Sequence, residues 1–377
     1  MQLKQQPKAL IVGAGIVGLA TARALSNKGF DVHVYERTGI AVGASIRNFG
    51  MVWPIGQPSG TLYQRAMRSR AIWKSISEAG AFWHDPAGSL HLAYDEDEWT
   101  VLQELQELFQ EERGVSLLNK DSLEKIAPAV VTAGLKGGLF SNTEVIVDPR
   151  QAIRNLPGYL EQTAAVQFHW GQCVTAAGSG FIIAGNQRIE ADLVFICSGA
   201  DFETLYPEHF AKAPLTKCKL QMLRMPAQPG NWRIGPASCG GLSLIHYKSF
   251  LAAPSLQALR KRYEQEYPEY IKWGIHVMVS QNREGELTVG DSHEYGLTHD
   301  PFDRAQINQL ILSYLKRFAR FKDEQVAETW NGVYAKATDG ATEIFLSPEP
   351  GVYILNALSG AGMTLSFGLA EEVVENI

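Results

Sequence analysis

Cysteine is scarce in this chain: four residues in 377, at Cys173, Cys197, Cys218 and Cys239. None forms a CxxC pair or stands at zinc spacing from a histidine, so no metal site is expected. Four scattered cysteines in a chain this long read as reduced, mostly buried thiols. Long apolar runs are also missing. Nothing approaches the ~20 residues that a membrane span requires. The opening MQLKQQPKAL is polar and lacks the apolar core of a signal peptide, which sets the expectation of a soluble, cytoplasmic protein. A large charge of one sign is absent as well. Lys and Arg number 34 against 40 Asp and Glu, a net charge of −6. That balance disfavours a general nucleic-acid or anionic-membrane partner but leaves a local basic pocket open. There are no repeats, low-complexity tracts or long linkers.

What is present is ordinary for a globular enzyme: 45% hydrophobic and 20% charged residues. The length suits two domains, or one nucleotide-binding domain interrupted by a second. Lys8–Val12, KALIV, is a short apolar strand. GAGIVG follows, then an apolar-periodic helix from Ile16 to Lys28, stopped by Gly29. Phe30–Glu36 is a second strand, which completes a βαβ unit of about 30 residues. Residues 37–60 are loop-like. Helical patterning covers Thr61–Ala79 and Asp95–Arg113. A short helix is expected at Asp121–Ala127, with Asp121 as N-cap and Glu124 completing a capping box. Residues 134–147 read as a hairpin or loop, and Asp148-Pro149 as the start of another helix.

Further on, Val166–Val174, Gly180–Ala184 and Arg188–Glu190 suggest a small meander. Asp192–Cys197 is a buried strand by its unbroken apolar run. Residues 215–251 and 274–291 alternate apolar and polar and predict a separate antiparallel sheet. Ser255–Tyr267 and Asp303–Phe321 are helices, Val352–Leu355 is a last buried strand, and Leu365–Asn376 a closing helix. The expected fold is α/β (α+β overall): a Rossmann-like nucleotide domain with an inserted antiparallel-sheet substrate domain. Residues 1–80, 145–213 and 326–377 are assigned to the first, 81–144 and 214–325 to the second.

The N-terminal motif carries the first chemistry. Gly13 permits a tight turn after the strand, Gly15 lets backbone approach a pyrophosphate, and Gly18 lets the helix pack on the strand. The free N–H groups at the helix start, over Ala14, Ile16 and Val17, favour phosphate charge. Glu36, 18 residues after Gly18, can accept from ribose hydroxyls. The motif alone does not choose between NAD and FAD. The next segment, Gly43–Gly50 (GASIRNFG), places Ala44, Ser45, Arg47, Asn48 and Gly50 in one loop able to wrap a second face of a pyrophosphate.

With that loop the chain resembles the DAO-type FAD-dependent oxidoreductases, the superfamily of glycine oxidase, sarcosine oxidase and D-amino-acid oxidase. The resemblance runs along the whole chain and is sharpest at four places. These are GAGIVG with Glu36-Arg37; GASIRNFG; Asp192–Ala200 (DLVFICSGA), with Ser198-Gly199 in the turn; and Gly351–Thr364 (GVYILNALSGAGMT). It implies that the backbone of Val174 contacts the adenine. It also implies that Gly360, Ala361, Gly362, Met363 and Thr364 aim a helix start at the flavin, where N–H groups stabilise charge on the reduced ring. In sarcosine oxidases of the family a cysteine bonds the flavin. The matching position here is Gly332, which implies non-covalent FAD.

The same resemblance marks a departure. Glycine-oxidase-like members hold the substrate carboxylate with an arginine in the segment WNGVYAKATDG. Here that position is Tyr334, with Lys336 two residues on. Tyr and Lys suit a tetrahedral anion as well as a carboxylate; the alternative is a packed Tyr334 and a surface Lys336. His246 and Tyr247 in CGGLSLIHY are further candidates. An alternating strand would put them on opposite faces, so at most one would face the cofactor. His276, Arg283, His293 and Trp53 are weaker candidates.

The loops GASIRNFGMVWPIGQPSG and CGGLSLIHY resemble a subgroup associated with bacterial phosphonate breakdown. This implies oxidation of a small anionic amine of the 2-aminoethylphosphonate type or its N-methylated form, with oxygen or another acceptor taking the electrons. Burial would lower the amine pKa, so no dedicated base is assigned. The alternatives are a glycine, sarcosine or D-amino-acid oxidase; a flavin-binding subunit without turnover of its own; and, more weakly, an NAD enzyme.

Overall fold

The computed structural model describes residues 6–377. The opening residues MQLKQ, part of the segment searched for a leader, lie outside the described part. The expected βαβ unit forms from strand Lys8–Val12, helix Ile16–Asn27 and strand Asp31–Glu36. It sits at the centre of a six-stranded sheet. The order is Ile344–Glu349, Val352–Asn356, Leu193–Ile196, Lys8–Val12, Asp31–Glu36, Gln167–Trp170. The last five run parallel and the first is antiparallel to its neighbour.

Both faces of this sheet are covered, which is why its strands read as unbroken apolar runs. On one face, Ala9 and Ile11 pack with Leu19, Trp73 and Phe367 from helices Ile16–Asn27, Thr61–Glu78 and Gly362–Glu375. On the other, Leu10, Val194 and Ile354 pack against Val174 and Ile182 of a three-stranded meander. The side chains thus alternate at the strand period of two. Trp73 is fully buried, and truncating such a residue costs about 3–5 kcal/mol.

The meander is Val174–Gly178, Phe181–Ala184 and Gln187–Glu190. Gln167–Trp170, expected in it, pairs instead with Asp31–Glu36 at the edge of the parallel sheet. Gly171, at positive φ, turns the chain between the two. The short helix is Lys120–Ile126, capped by Asn119, whose side chain accepts from the Ser122 amide at 3.0 Å; Asp121 lies inside its first turn. Asp148 does cap helix Pro149–Ala164, accepting from the amides of Arg150 and Gln151, a contribution of about 1 kcal/mol.

A second, larger sheet is almost wholly antiparallel. Its order is Glu294–Gly296, Leu215–Met225, Leu287–Gly290, Met278–Gln281, Ala237–Cys239, Ser89–Ala93, Gly137–Ser141, Val115–Leu118. Ala237–Cys239 and Ser89–Ala93 are its parallel pair. Strand Glu328–Ala337 pairs along the length of Leu215–Met225. By pairing it belongs to this sheet, although the sequence grouping put 326–377 with the first. Helices Glu96–Phe109, Leu256–Glu266 and Ala305–Phe318 share this sheet's core. Residues 241–252 are not a strand: Gly241–Ser243 and Lys248–Ala252 are 3₁₀ turns. Gly240 and Gly241 lie so close to Phe318, Tyr263 and Glu98 that side chains there would clash, and the chain folds back on itself.

Candidate functional site

One long cleft of about 1120 Å³ runs from the carboxyl ends of the parallel strands to the face of the second sheet. Carboxyl ends of parallel strands are where open α/β sheets bind ligands.

The first part of its wall is made by backbone. Gly13 holds φ +103°, and a Cβ there would lie 2.5 Å from the Cys197 carbonyl oxygen. Gly18 is packed harder still: a Cβ would sit 1.9 Å from the Gly13 carbonyl oxygen. Gly15, Ile16 and Val17 line the cleft; Ala14 and Gly18 lie behind them and set the shape of the turn. The Ile16 amide donates to Ser45 Oγ at 2.9 Å, so the second loop closes over the helix start.

Glu36 lines the cleft and is fixed by three donors. The Ala14 amide reaches it at 3.0 Å, the Thr38 amide at 3.1 Å and Thr38 Oγ1 at 2.8 Å. Arg37 pairs with Asp201 at 2.6 Å, tying this strand end to the Ser198-Gly199 turn. Gln172, Cys173 and Val174 add a further side. Cys173 is exposed and the other three cysteines are buried, all four as free thiols.

In the second loop, Asn48 Nδ2 donates to the carbonyls of Ala44 and Ser45, and its Oδ1 accepts from the Gly50 amide. Arg47 donates to the Val42 and Asn331 carbonyls at 2.9 and 3.0 Å. Its guanidinium therefore ties the loop to strand Glu328–Ala337. Gly50 does not line the cleft; it has φ +72°, and a Cβ would lie 1.9 Å from the Val147 carbonyl oxygen.

At the far end, Gly360 to Thr364 line the cleft where helix Gly362–Glu375 begins. Asn356 Nδ2 donates to the Gly199 carbonyl at 2.9 Å, which links the two strand-end turns. Thr364 Oγ1 accepts from the Trp53 amide at 3.0 Å.

The remaining wall is made by side chains of the second sheet. Tyr334 and Lys336 line the cleft together. The Tyr334 ring reaches Gly360: a Cβ there would be 3.6 Å from its hydroxyl. Tyr334 also faces Cys218 across the strand pair. Burial, then Cys218, pushes its phenol well above its usual range. Lys336 Nζ donates to the Tyr295 hydroxyl at 3.0 Å and lies 4.4 Å above that ring's centre. Lys336 is therefore partnered at the exposed rim of the cleft, by a tyrosine that also lines it.

His246 and Tyr247 both line the cleft. The one-face rule failed because they follow a 3₁₀ turn, where strand alternation does not apply. Around them gather His276, His293 and Asp291. The His246 and His276 rings stack at 3.7 Å, His246 and His293 lie 4.9 Å apart, and His276 and His293 5.3 Å. His276 Nε2 is 3.1 Å from Asp291 Oδ1, and His293 Nε2 is 3.9 Å from Oδ2. Burial and the neighbouring imidazoles hold His276 well below its ordinary value. Burial takes His293 down to about 4, against the opposing effect of its bond to the Gly274 carbonyl. Burial moves the Asp291 carboxyl well upward.

Trp53 lines the cleft as well, whereas Arg283 is exposed in a hairpin turn and lies outside it. Asp291 and Tyr295 were missed from the sequence. The only signal was the spacing Asp-x-His in GDSHEYG, from which His293 alone had been singled out. One ring nitrogen from each of His246, His276 and His293 lies within 4.8 Å of the other two, but the His246 and His276 rings are stacked face to face, which is the packing of a histidine cluster. No described helix is long and apolar enough to cross a membrane.

Comparison with known proteins fits this geometry. The model of the DAO family, FAD dependent oxidoreductase, matches residues 8–376. The chain is similar to an opine oxidase subunit from Rhizobium meliloti, 23% identical over 95% of this chain and 90% of that one. It is similar to the tRNA 5-methylaminomethyl-2-thiouridine biosynthesis bifunctional protein MnmC of Pseudomonas entomophila, 26% identical over 62% of this chain, but spans only 35% of that protein's length. Among solved structures, glycine oxidase from Bacillus cereus superposes with a TM-score of 0.77 at 14% identity, covering 98% of this chain and 94% of that one. At that identity the likeness is one of fold. The family match, extending over nearly the whole chain, decides membership: the chain belongs to the DAO family of FAD-dependent oxidoreductases.

Proposed function

We propose that this FAD-dependent oxidoreductase oxidises a small anionic amine of the aminophosphonate class, 2-aminoethylphosphonate or its N-methyl form. The observation that carries the reading is the pair Tyr334 and Lys336 on one strand of the cleft wall. A lysine point charge and phenol donors suit a tetrahedral dianion, whereas a carboxylate is best held by the planar fork of an arginine. Tyr334 supplies a phenol beside the glycine turn at Gly360, and Lys336 with Tyr295 supplies further donors on the same cleft wall.

The residues fit FAD. Gly13 leaves no room for a side chain, a Cβ at Gly15 would crowd Ser45 Oγ at 3.2 Å, Glu36 is presented at the strand end, and the cleft continues to Gly360–Thr364. Gly15, Ile16, Val17, Glu36, Arg37, Ala44, Ser45, Asn48, Val174, Ser198 and Gly199 would hold the adenine dinucleotide end, and Gly360–Thr364 the flavin end. Gly332 lines the cleft at the position of the covalent cysteine, so we read the cofactor as non-covalent. We keep 1–80 and 145–213 in the FAD-binding part, shorten its third segment from 326–377 to 338–377 because strand Glu328–Ala337 pairs with Leu215–Met225, and assign the rest to the substrate part. FAD, when bound, supplies the oxidant that takes a hydride from the carbon next to nitrogen. The protein's part is to hold that carbon in place, exclude water from it and keep the nitrogen unprotonated. The resulting imine hydrolyses to an aldehyde and an amine.

Glycine or sarcosine oxidation would use the same cofactor chemistry with a carboxylate in the anion site. A role inside a larger complex is favoured by the nearly full-length similarity to a protein named as a subunit. An anaerobic flavin-reduction screen separates the three. We expect bleaching by the aminophosphonates. Bleaching by glycine or sarcosine alone selects the second reading, and a yellow protein that no amine reduces selects the third.

A further inference from the structure

The cluster behind His246 is not explained by cofactor binding or by the anion site. Asp291 and His276 form a mutual backbone pair: the His276 amide donates to the Asp291 carbonyl at 3.3 Å, and the Asp291 amide returns a bond at 2.9 Å. The pair continues the ladder of strands Met278–Gln281 and Leu287–Gly290 beyond its last register pair. Gly274, at φ +56°, lets the preceding turn approach His293; a Cβ there would lie 2.9 Å from His293 Cβ. The result is a buried carboxylate and two buried imidazoles on the cleft wall: Asp291 is 5% exposed, His276 4% and His293 7%.

The hydrogen bonding of this group is incomplete. Asp291 Oδ1 has no hydrogen-bond partner, although His276 Nε2 is 3.1 Å away, because the two are not aligned. His293 Nδ1 lies 2.9 Å from the Gly274 carbonyl, which can only accept, so Nδ1 carries the proton. In the neutral ring Nε2 is then a bare lone pair, turned toward Asp291. A buried carboxylate oxygen without a donor is costly. Acceptors converge here, and what is missing is a donor carrying positive charge.

Resting on the reading that the substrate is an amine, we infer that Asp291, with His293 Nε2 beside it, is the ammonium-binding subsite of the cleft and takes a proton from the substrate nitrogen. The substrate enters as an ammonium ion. One N–H bond breaks, the proton moves to a carboxylate oxygen of Asp291, and the nitrogen keeps its electron pair. That pair is what hydride loss from the adjacent carbon requires. No electrons leave in this step; the oxidation that follows is the family's own chemistry. Burial raises the affinity of Asp291 for the proton, which brings acid and base closer together than free carboxylate and amine would be. His276 acts as a positioning residue.

The groups facing Asp291 are His276 and His293 beside it, Tyr247 from the 3₁₀ turns and Tyr334 and Cys218 from the long strand pair. His246 stacks on His276 one layer away. The permanent cations around the group are Lys336, which acts on His293, His246 and Cys218, and Arg260, which acts on His246; Glu294 acts on Cys218. The rival occupant is a divalent metal on the three histidines. Its geometry is poor: His246 and His276 are stacked with planes only 28° apart, so their lone pairs run side by side rather than converge.

The test uses the FAD-loaded protein and two matched pairs of ligands, 2-aminoethylphosphonate with ethylphosphonate and glycine with acetate. Binding is followed by calorimetry and flavin absorbance. Wild type should prefer the amine member of at least one pair by about 10-fold or more, the value of a charge-assisted hydrogen bond. Asp291→Asn should flatten that preference. It should also slow anaerobic reduction, by whichever amine reduces the wild type, by about 100-fold. The acid limb of the reduction profile, where activity falls as Asp291 takes up its proton, should move to higher pH.

His276→Gln keeps the carboxylate and should shift that limb with a smaller loss of rate. It is the readout to use if Asp291→Asn fails to retain FAD. Success with glycine instead of the phosphonate overturns the substrate class and leaves this subsite standing. No amine preference in either wild-type pair overturns the inference. So does an unchanged preference and rate in both variants, or a stoichiometric divalent metal that Asp291→Asn releases.

Discussion

The two ends of the cleft are built in opposite ways. The proposed FAD end is made largely of backbone, from short contiguous segments within Gly13–Val17, Ala44–Asn48, Ser198-Gly199 and Gly360–Thr364. The proposed substrate end is made of side chains that meet from four separate stretches, around His246, His276, Asp291–Tyr295 and Tyr334–Lys336. Where backbone binds, the sequence must be glycine or small over a fixed spacing, and the constraint shows in the chain itself. Where side chains bind, almost any spacing serves, provided the sheet brings the strands together.

The largest expected effect breaks the first half of that comparison. Gly18→Val puts atoms where even a Cβ would lie 1.9 Å from a carbonyl oxygen of the same turn. We expect purified protein without bound FAD and a fall in melting temperature. Overpacking of this kind costs about 1–3 kcal/mol or more. Retention of the flavin spectrum in that variant would show that the turn is not the shape-determining element.

The second effect inverts substrate class. Tyr334→Arg returns a guanidinium to the strand that faces Gly360. We expect reduction by glycine or sarcosine to gain on reduction by 2-aminoethylphosphonate by about 10-fold, the size of one charge-assisted contact. An unchanged ratio would remove Tyr334 from the anion site. Lys336→Met should be weaker in one direction only. We expect the apparent Kd for the phosphonate to rise by about 10-fold with little change in the limiting reduction rate, since a binding contact common to ground and transition states moves affinity alone. A loss of rate at unchanged Kd would place Lys336 in the chemical step instead.

The smallest effect is on stability. His91 is fully buried among Trp53, Tyr247 and Phe250, with neither ring nitrogen bonded, and burial lowers its pKa from 6.5 to about 3. Its folded value is depressed, so below pH 6.5 the unfolded chain takes up a proton that the folded chain refuses. Stability is thus complete above that pH and falls away from 6.5 toward 3. His91→Phe should leave the melting temperature at neutral pH equal or slightly higher, and should reduce its loss between about pH 6 and pH 4. A steeper acid loss in the variant would contradict this.

The same contrast accounts for what was legible in the sequence. The βαβ unit, the capped helix at Asp148-Pro149 and the buried strands Leu193–Ile196 and Val352–Asn356 announce themselves by local pattern. Asn119 displaced Asp121 as a cap because both are good capping residues and the helix begins earlier than Asp121 would allow. Gln167–Trp170 was grouped with the meander because sequence neighbourhood cannot tell which edge a strand will join. His246 and Tyr247 were put on opposite faces because an apolar-polar alternation looks alike in a strand and in 3₁₀ turns. Asp291 was missed because the one local signal, Asp-x-His in GDSHEYG, does not say that the aspartate is buried on the cleft wall. It acquires its environment only when the backbone pairs it with His276.

A backbone-built FAD cleft that serves an amine carrying a tetrahedral anion should discriminate between two anions on the same amine. The most direct measurement is stopped-flow anaerobic reduction of the wild-type protein by N-methyl-2-aminoethylphosphonate and by sarcosine, both N-methyl amines. We predict that the phosphonate reduces the flavin at least about 10-fold more efficiently. Faster reduction by sarcosine would contradict the tetrahedral-anion assignment.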